Sequence, residues 1–449
     1  MEQLAQESGA ALALPADTKA KIDEAVNGYF KDSSNVGLAV GIIRGEQTQI
    51  LCYGTTDKPS GIPITPESVF EIGSITKVFT GILLAEAIRR GEVKLDDPAN
   101  KHLPPEGQMP LKGKSPVTLR HLVTHTSGLP RLPDNIDREV FFSDNPYRTY
   151  TVEQLYEYLH RTSVVPGKQH AYSNLGMGLL AHILALSAGK DYEALVKERI
   201  LEPLGMDDTS IALSEDQKRR LALPHDKGKQ VSNWDIPTLS GAGALRSPVS
   251  DMLKFLSANV NPHSMTDDGR RTTDEKRKTK NESLYLDSVI LHPSSVYPGL
   301  VESIERSHQI ETRGNPFRQN LGCWFGIGLF YAMVEIGTRM HLGRFGWPVV
   351  VPAFILNFAL PIYVAFKWPR GFATMGLAWF MDRLSGTPHV MTWHNGGTGG
   401  YCSFLGFVRE TRTGIIVLSN STNSVDALGA RILPLLTTSE QSLAASSPG

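Results

Sequence analysis

"FEIGSITKVFTGILLAEAIRRG", residues 70–91, places Ser74 three residues before Lys77 inside a run too apolar for a surface. Lysine is rarely buried without a partner, so the pair calls for a chemical reading. Gly73 permits a tight turn, the stretch after it reads as a helix, and Gly91 supplies a C-terminal stop. Residues i and i+3 share a helix face, which makes the hydroxyl and the amine neighbours. Ser74 also falls in the first turn, where free N–H groups and the helix dipole favour developing negative charge. A serine hydroxyl is a weak nucleophile and needs an adjacent base. Lysine near its reference pKa of ~10.4 is protonated, but burial lowers that value, and the run Val78–Ala85 supplies the burial. The spacing alone is not specific. Ser187-Ala188-Gly189-Lys190 repeats it at what reads as an exposed helix end.

Two further elements sharpen the reading. In "HAYSNLGMGLLAHILALSAG" (170–189), Tyr172-Ser173-Asn174 precedes another buried helix. A tyrosine hydroxyl near an ammonium can ionise or relay protons, and an asparagine amide can orient a substrate carbonyl. Taken by themselves, the same residues also suit a helix start with Asn174 as its cap and Tyr172 as packing. In "TWHNGGTGGYCSFLGFV" (392–408), His394-Asn395-Gly396-Gly397 leads into a strand, and glycines there let a backbone N–H approach a ligand closely. No helix follows and no P-loop lysine is present, so a phosphate cradle is a poor fit.

Together the three elements resemble the serine β-lactamase and penicillin-binding-protein superfamily, whose class A signatures are S-x-x-K, S-D-N and K-T-G. Ser74-x-x-Lys77, Tyr172-x-Asn174 and His394-x-Gly396 occur in the same order, and Tyr-x-Asn resembles the class C branch. That branch also holds D,D-carboxypeptidases, D-aminopeptidases and family VIII esterases. "HLVTHTSGLP" (121–130) and "GAGALRSPVSDMLKFL" (241–256) look like family signatures outside the active site, and the resemblance spans about residues 20–262 and 374–435. It implies a two-lobed α/β fold and a serine hydrolase working through an acyl-enzyme, without metal or organic cofactor. It also implies Ser74 as nucleophile, Lys77 and Tyr172 as its activators, and Asn174, His394 and Gly396 in substrate binding. The oxyanion hole would be the N–H groups of Ser74 and Gly397, and which of Lys77 and Tyr172 is the base stays open. Implied substrates are β-lactams, D-amino-acid peptides or esters; a silent binding member of the fold is the rival. His394 stands where lysine is common. A histidine of pKa ~6.5 is mostly neutral at pH 7, so carboxylate substrates should bind better towards pH 6.

The rest of the chain supports a globular enzyme. Its 449 residues are 41% hydrophobic and 20% charged with net charge −1, so no field favours nucleic acid. Three cysteines, Cys52, Cys323 and Cys402, show no metal or disulfide framework. His121 and His125 are spaced i, i+4 but lack the glutamate of a zinc helix. Residues 16–31 read as a helix, 36–54 as a hairpin, 401–408 and 414–420 as a second hairpin, and 424–437 as a closing helix. The expected architecture is an antiparallel sheet taking strands from both ends of one catalytic domain (16–435), with a helical lobe over roughly 90–240.

Three segments fall outside that plan. Residues 263–285 read as a charged flexible insert, because the acids of "DDGRRTTDEKRKTK" interleave its bases, and 436–449 read as a disordered tail. Residues 317–372 read as an apolar insert. Its runs 321–334 and 349–366 suit either a membrane hairpin, giving membrane contact through 321–366, or a flap over the active-site mouth. The N-terminal stretch lacks the basic and apolar parts of a signal peptide, whereas the family suggests a periplasmic or membrane-associated location.

Overall fold

The computed structural model describes residues 14–111, 115–137, 143, 145–262, 298–312 and 374–437. Its strands in chain order are β1 (Gly37–Arg44), β2 (Gln47–Gly54), β3 (Val69–Glu71), β4 (His225–Asp226) and β5 (Lys229–Gln230). They continue with β6 (Arg246–Pro248), β7 (Phe380–Arg383), β8 (Val390–Gly397), β9 (Cys402–Val408) and β10 (Thr413–Ser419). Six of them form one antiparallel sheet in the order β2-β1-β10-β9-β8-β7. The first and last thirds of the chain therefore meet at its centre, where Leu38 pairs with Ser419 and Ile42 with Ile415.

Alternation along β1 explains the layers. Leu38, Val40 and Ile42 pack with Ile22 and Val26 of the Ala16–Tyr29 helix and with Leu428 and Ile432 of the Asp426–Thr437 helix. The opposite face belongs to the larger core, with Ala39 and Ile43 of β1 and Ile416 and Leu418 of β10. Gly41 lies on that face because the Val249–Val260 helix crosses close above it. A Cβ there would sit 2.7 Å from Ile416 and 3.1 Å from Val249. β1 is thus covered on both faces, which is why its sequence is an unbroken apolar run.

The Thr76–Arg89 helix runs through the body of the larger core, buried from Thr76 to Ala87. Phe79 stacks on Phe255 at 4.0 Å between ring centroids. Ser303, on the Pro298–Ser307 helix, donates a 2.7 Å bond to Glu86 and ties that helix to this one. Further helices, Val152–Arg161 and Asn174–Ala188 among them, build the body between β3 and β6. Thr312 and Met375 form an antiparallel bridge, so the chain departs and returns at one point of the fold. The inserts expected at 263–285 and at 317–372, with its membrane or flap reading at 321–366, lie outside the described residues, as does the expected tail 436–449 except Leu436 and Thr437, which are the last turn of a helix with Leu436 buried. Among the described residues, no helix is long and apolar enough to cross a membrane.

Candidate active site

Gly73 has φ +51° and turns the chain from β3 into a 3₁₀ turn, Gly73–Ile75, that runs straight into the Thr76–Arg89 helix. A Cβ on Gly73 would lie 2.7 Å from the Gly397 nitrogen, so glycine is also what lets β8 close onto this turn. Ser74 is partly exposed, and one turn further on Lys77 is wholly buried. Lys77 Nζ donates to the Ala242 carbonyl at 2.6 Å and lies 2.9 Å from Ser74 Oγ. No carboxylate among the described residues pairs with it. Burial, reinforced by the positive charge of Arg131, holds the amine well below the ordinary lysine range. The second Ser-x-x-Lys pair shares none of this: Lys190 is exposed and bonds Glu198 on the surface.

Tyr172 covers the pair. Lys77 Nζ stands 4.9 Å from its ring centroid, and Ser74 lies close enough to the phenol to favour its ionised form slightly against the effect of burial. Burial pushes the phenol up to about 12, so it keeps its proton at neutral pH. Ser173, not Asn174, caps the following helix: its Oγ accepts from Gly176 N at 2.8 Å and donates to the Pro130 carbonyl at 2.6 Å. That leaves the Asn174 side chain free of capping. Its Nδ2 donates to Tyr147 at 3.2 Å, and its buried Oδ1 has no partner.

β8 brings the third element in edge-on. The Ser403 hydroxyl donates to the Ile72 carbonyl at 2.8 Å, and a Cβ on Gly396 would lie 2.1 Å from that same oxygen. Gly396 is therefore a close-approach residue between β8 and the Ser74 turn and does not line the cleft. Gly396→Ala is expected to push β8 away, lowering stability by about 1–3 kcal/mol, the cost typical of overpacking. Turnover should fall with it. Denaturant melts and steady-state kinetics check this, and native values for both would contradict the packing argument.

His394 requires a correction. It is wholly buried, its Nδ1–H donates to the Asn395 carbonyl at 2.6 Å, and burial followed by the proximity of Lys77 pushes it down to about 3. The imidazole stays neutral through pH 6. The expected gain in carboxylate binding towards that pH has no charged group behind it, and His394 does not line the cleft.

The cleft is lined by Ser74, Asn174 and Gly397, all expected, and by residues that were not. Tyr147, Trp234, Ile236 and Thr398 form walls; Ala242 and Gly243 supply backbone. Glu71 holds the Trp234 wall, accepting from Trp234 N at 2.9 Å and Asn233 Nδ2 at 2.8 Å. Two stretches placed outside the site belong to it. Ala242, in 241–256, accepts a hydrogen bond from Lys77, and the His125 ring, in 121–130, packs at a tilt 4.5 Å from that of Tyr172. The unusual runs Gly241-Ala242-Gly243 and His125-Thr126-Ser127-Gly128 were the available signals. His121 lies elsewhere, with Nδ1 accepting the Thr118 N–H at 3.1 Å as part of a helix cap. Among the described residues no cluster of three or more His, Cys, Asp or Glu could hold a metal ion.

The profile of the beta-lactamase family matches residues 22–287, more than half of the sequence. The chain belongs to the beta-lactamase family. This family member is 33% identical over 300 residues to D-alanyl-D-alanine-carboxypeptidase/endopeptidase AmpH of Escherichia coli strain K12, covering 63% of this chain and 76% of that one. It is 32% identical over 250 residues to a beta-lactamase of Pseudomonas fluorescens, covering 55% and 66% respectively. A class C beta-lactamase from Rhodobacter sphaeroides shares its fold with a TM-score of 0.63 at 19% identity, covering 93% of this chain and 98% of that one. A class C beta-lactamase mutant gives a TM-score of 0.66, also at 19% identity, covering 94% and 99%. The two-lobed α/β fold expected from the motifs is the one observed, and the protein is a serine hydrolase of that family.

Proposed function

We propose that Ser74 is acylated, with neutral Lys77 as its base and protonated Tyr172 as the proton relay, and that the substrate is a β-lactam or a D-amino-acid peptide. The observation that carries this is the 2.9 Å approach to Ser74 Oγ of a wholly buried lysine, whose amine burial holds well below the ordinary lysine range. Lys77 takes the Ser74 proton as Oγ attacks the carbonyl carbon, and the oxyanion forms towards the N–H groups of Ser74 and Gly397. As the tetrahedral adduct collapses, the leaving nitrogen takes a proton from Tyr172, and the proton held on Lys77 restores Tyr172. Water then attacks the acyl-enzyme by the same relay in reverse. Asn174, with one free amide oxygen at the cleft, would bond the N–H of an acyl-side amide.

Support for the substrate class comes from the relatives: a D-alanyl-D-alanine-carboxypeptidase/endopeptidase and beta-lactamases. One observation favours a second reading, ester hydrolysis. The third motif carries the neutral His394, so this part of the site offers no cation to a carboxylate. A panel of nitrocefin, a D-Ala-D-Ala peptide and p-nitrophenyl butyrate separates the readings. Turnover of either of the first two supports the proposal, and turnover of the ester alone favours the second. Absence of turnover and of any covalent adduct overturns both.

The pH profile tests the base. Lys77 works as the free amine, so kcat/KM should be flat above its lowered pKa and fall as pH drops through it. The charged or titratable groups facing Lys77 are Arg131, Tyr172, His125 and His394, and both imidazoles are neutral because they are buried. Tyr172 adds no alkaline limb until about 12. A rate that rises only on approaching ~10.4 would mark Lys77 as an ordinary charged lysine.

A further inference from the structure

We propose that Arg131 is the docking site for a carboxylate on the acyl side of the substrate. The inference rests on the acyl-enzyme reading above and adds a substrate class to it. The backbone N–H groups of Asn174 and Leu175 both donate to the Arg131 carbonyl, at 3.0 and 3.2 Å, which fixes Arg131 beside the residue assigned to the acyl-side amide. Its exposed guanidinium stands 5.4 Å from the Tyr172 ring centroid. Stacking of this kind holds the group in place while leaving its N–H edge for a ligand.

Nearby acids are engaged by other groups. Asp134 bonds Arg161. Asp235 accepts from Asn145 at 2.9 Å and pairs with Arg246 at 3.4 Å, and Glu71 lies beneath Asn233 and Arg246. No described carboxylate accepts from Arg131. Among the described residues the guanidinium is therefore a permanent, planar, multi-donor cation to which no carboxylate is bonded. Bidentate geometry suits a carboxylate better than any neutral group. A substrate whose acyl portion ends in an acidic side chain would place its anion there while its carbonyl reaches Ser74. Arg131 also repels charge from Lys77, so its variants are compared on the pH plateau, where that effect is constant.

The experiment uses two substrate pairs with the full chain. In the first, p-nitrophenyl hemiglutarate and p-nitrophenyl butyrate differ by a carboxylate on the acyl part. In the second, 4-carboxyphenyl butyrate and phenyl butyrate differ by one on the leaving group. Arg131→Gln is expected to lower the hemiglutarate-to-butyrate ratio of kcat/KM roughly tenfold, with Arg131→Lys retaining most of it and Arg131→Glu lowering it further. A ratio within about twofold of wild type in Arg131→Gln overturns the proposal, as does a fall confined to the leaving-group pair. A wild type acylated by nitrocefin but by neither member of the first pair overturns this proposal alone, and one acylated by none of the three overturns the hydrolase reading and this one with it. A hydrolysing wild type whose ratio ignores Arg131 overturns this one alone.

Discussion

Ser74→Ala is expected to lower kcat on any hydrolysed substrate by about 10⁴-fold or more while leaving the fold intact. Losses of that size are typical when a covalent nucleophile is removed. Ser74 Oγ lies 2.9 Å from a buried lysine that no described carboxylate pairs with, and the Tyr172 ring covers that lysine. It also lines the cleft together with Gly397. The hydroxyl makes no capping bond, so deleting it removes little stability. Steady-state kinetics and a thermal melt check the two halves of the statement. Residual turnover within about tenfold of wild type would assign the chemistry elsewhere.

Lys77→Arg is the second large effect. It should be nearly as damaging as Lys77→Ala, each costing on the order of 10³-fold, within the range for loss of a general base. The reason is chemical before it is steric. Lysine is useful here because burial lowers its pKa and makes its proton easier to lose, whereas arginine keeps its proton under any comparable condition. The guanidinium is also bulkier than the ammonium that Ala242, Ser74 and Tyr172 surround. A circular dichroism melt of the arginine protein separates lost chemistry from lost folding. A folded arginine variant with near-normal turnover would show Lys77 to be a structural cation.

The parts of this molecule that were legible in the sequence are those in which side-chain identity and local geometry coincide. Ser74 and Lys77 declared themselves because a three-residue spacing on a helix fixes neighbours, and because a lysine in an apolar run needs a reason. The two hairpins were legible because β1 and β2, like β9 and β10, meet across short turns. Gly45 at φ +64° and Arg412 at φ +50° make the reversals. Arg131, Tyr147 and Trp234 were not legible, because their chain segments come together only in the folded protein. Ala242 was invisible for a different reason: it acts through its carbonyl, which every residue carries. His394 misled because a histidine in a signature suggests a charge, and only the packing of β8 shows an imidazole sealed from water.

The account stands most directly on where an acyl group ends up. The protein, mixed with a β-lactam or an activated ester and quenched in acid within milliseconds to seconds, can be digested and mapped by mass spectrometry. The expected result is one adduct, carried by the peptide containing Gly73-Ser74-Ile75 and absent from Ser74→Ala. It should also be strongly diminished in Lys77→Arg. A single adduct on any other residue, or an adduct that survives in Ser74→Ala, would contradict the account.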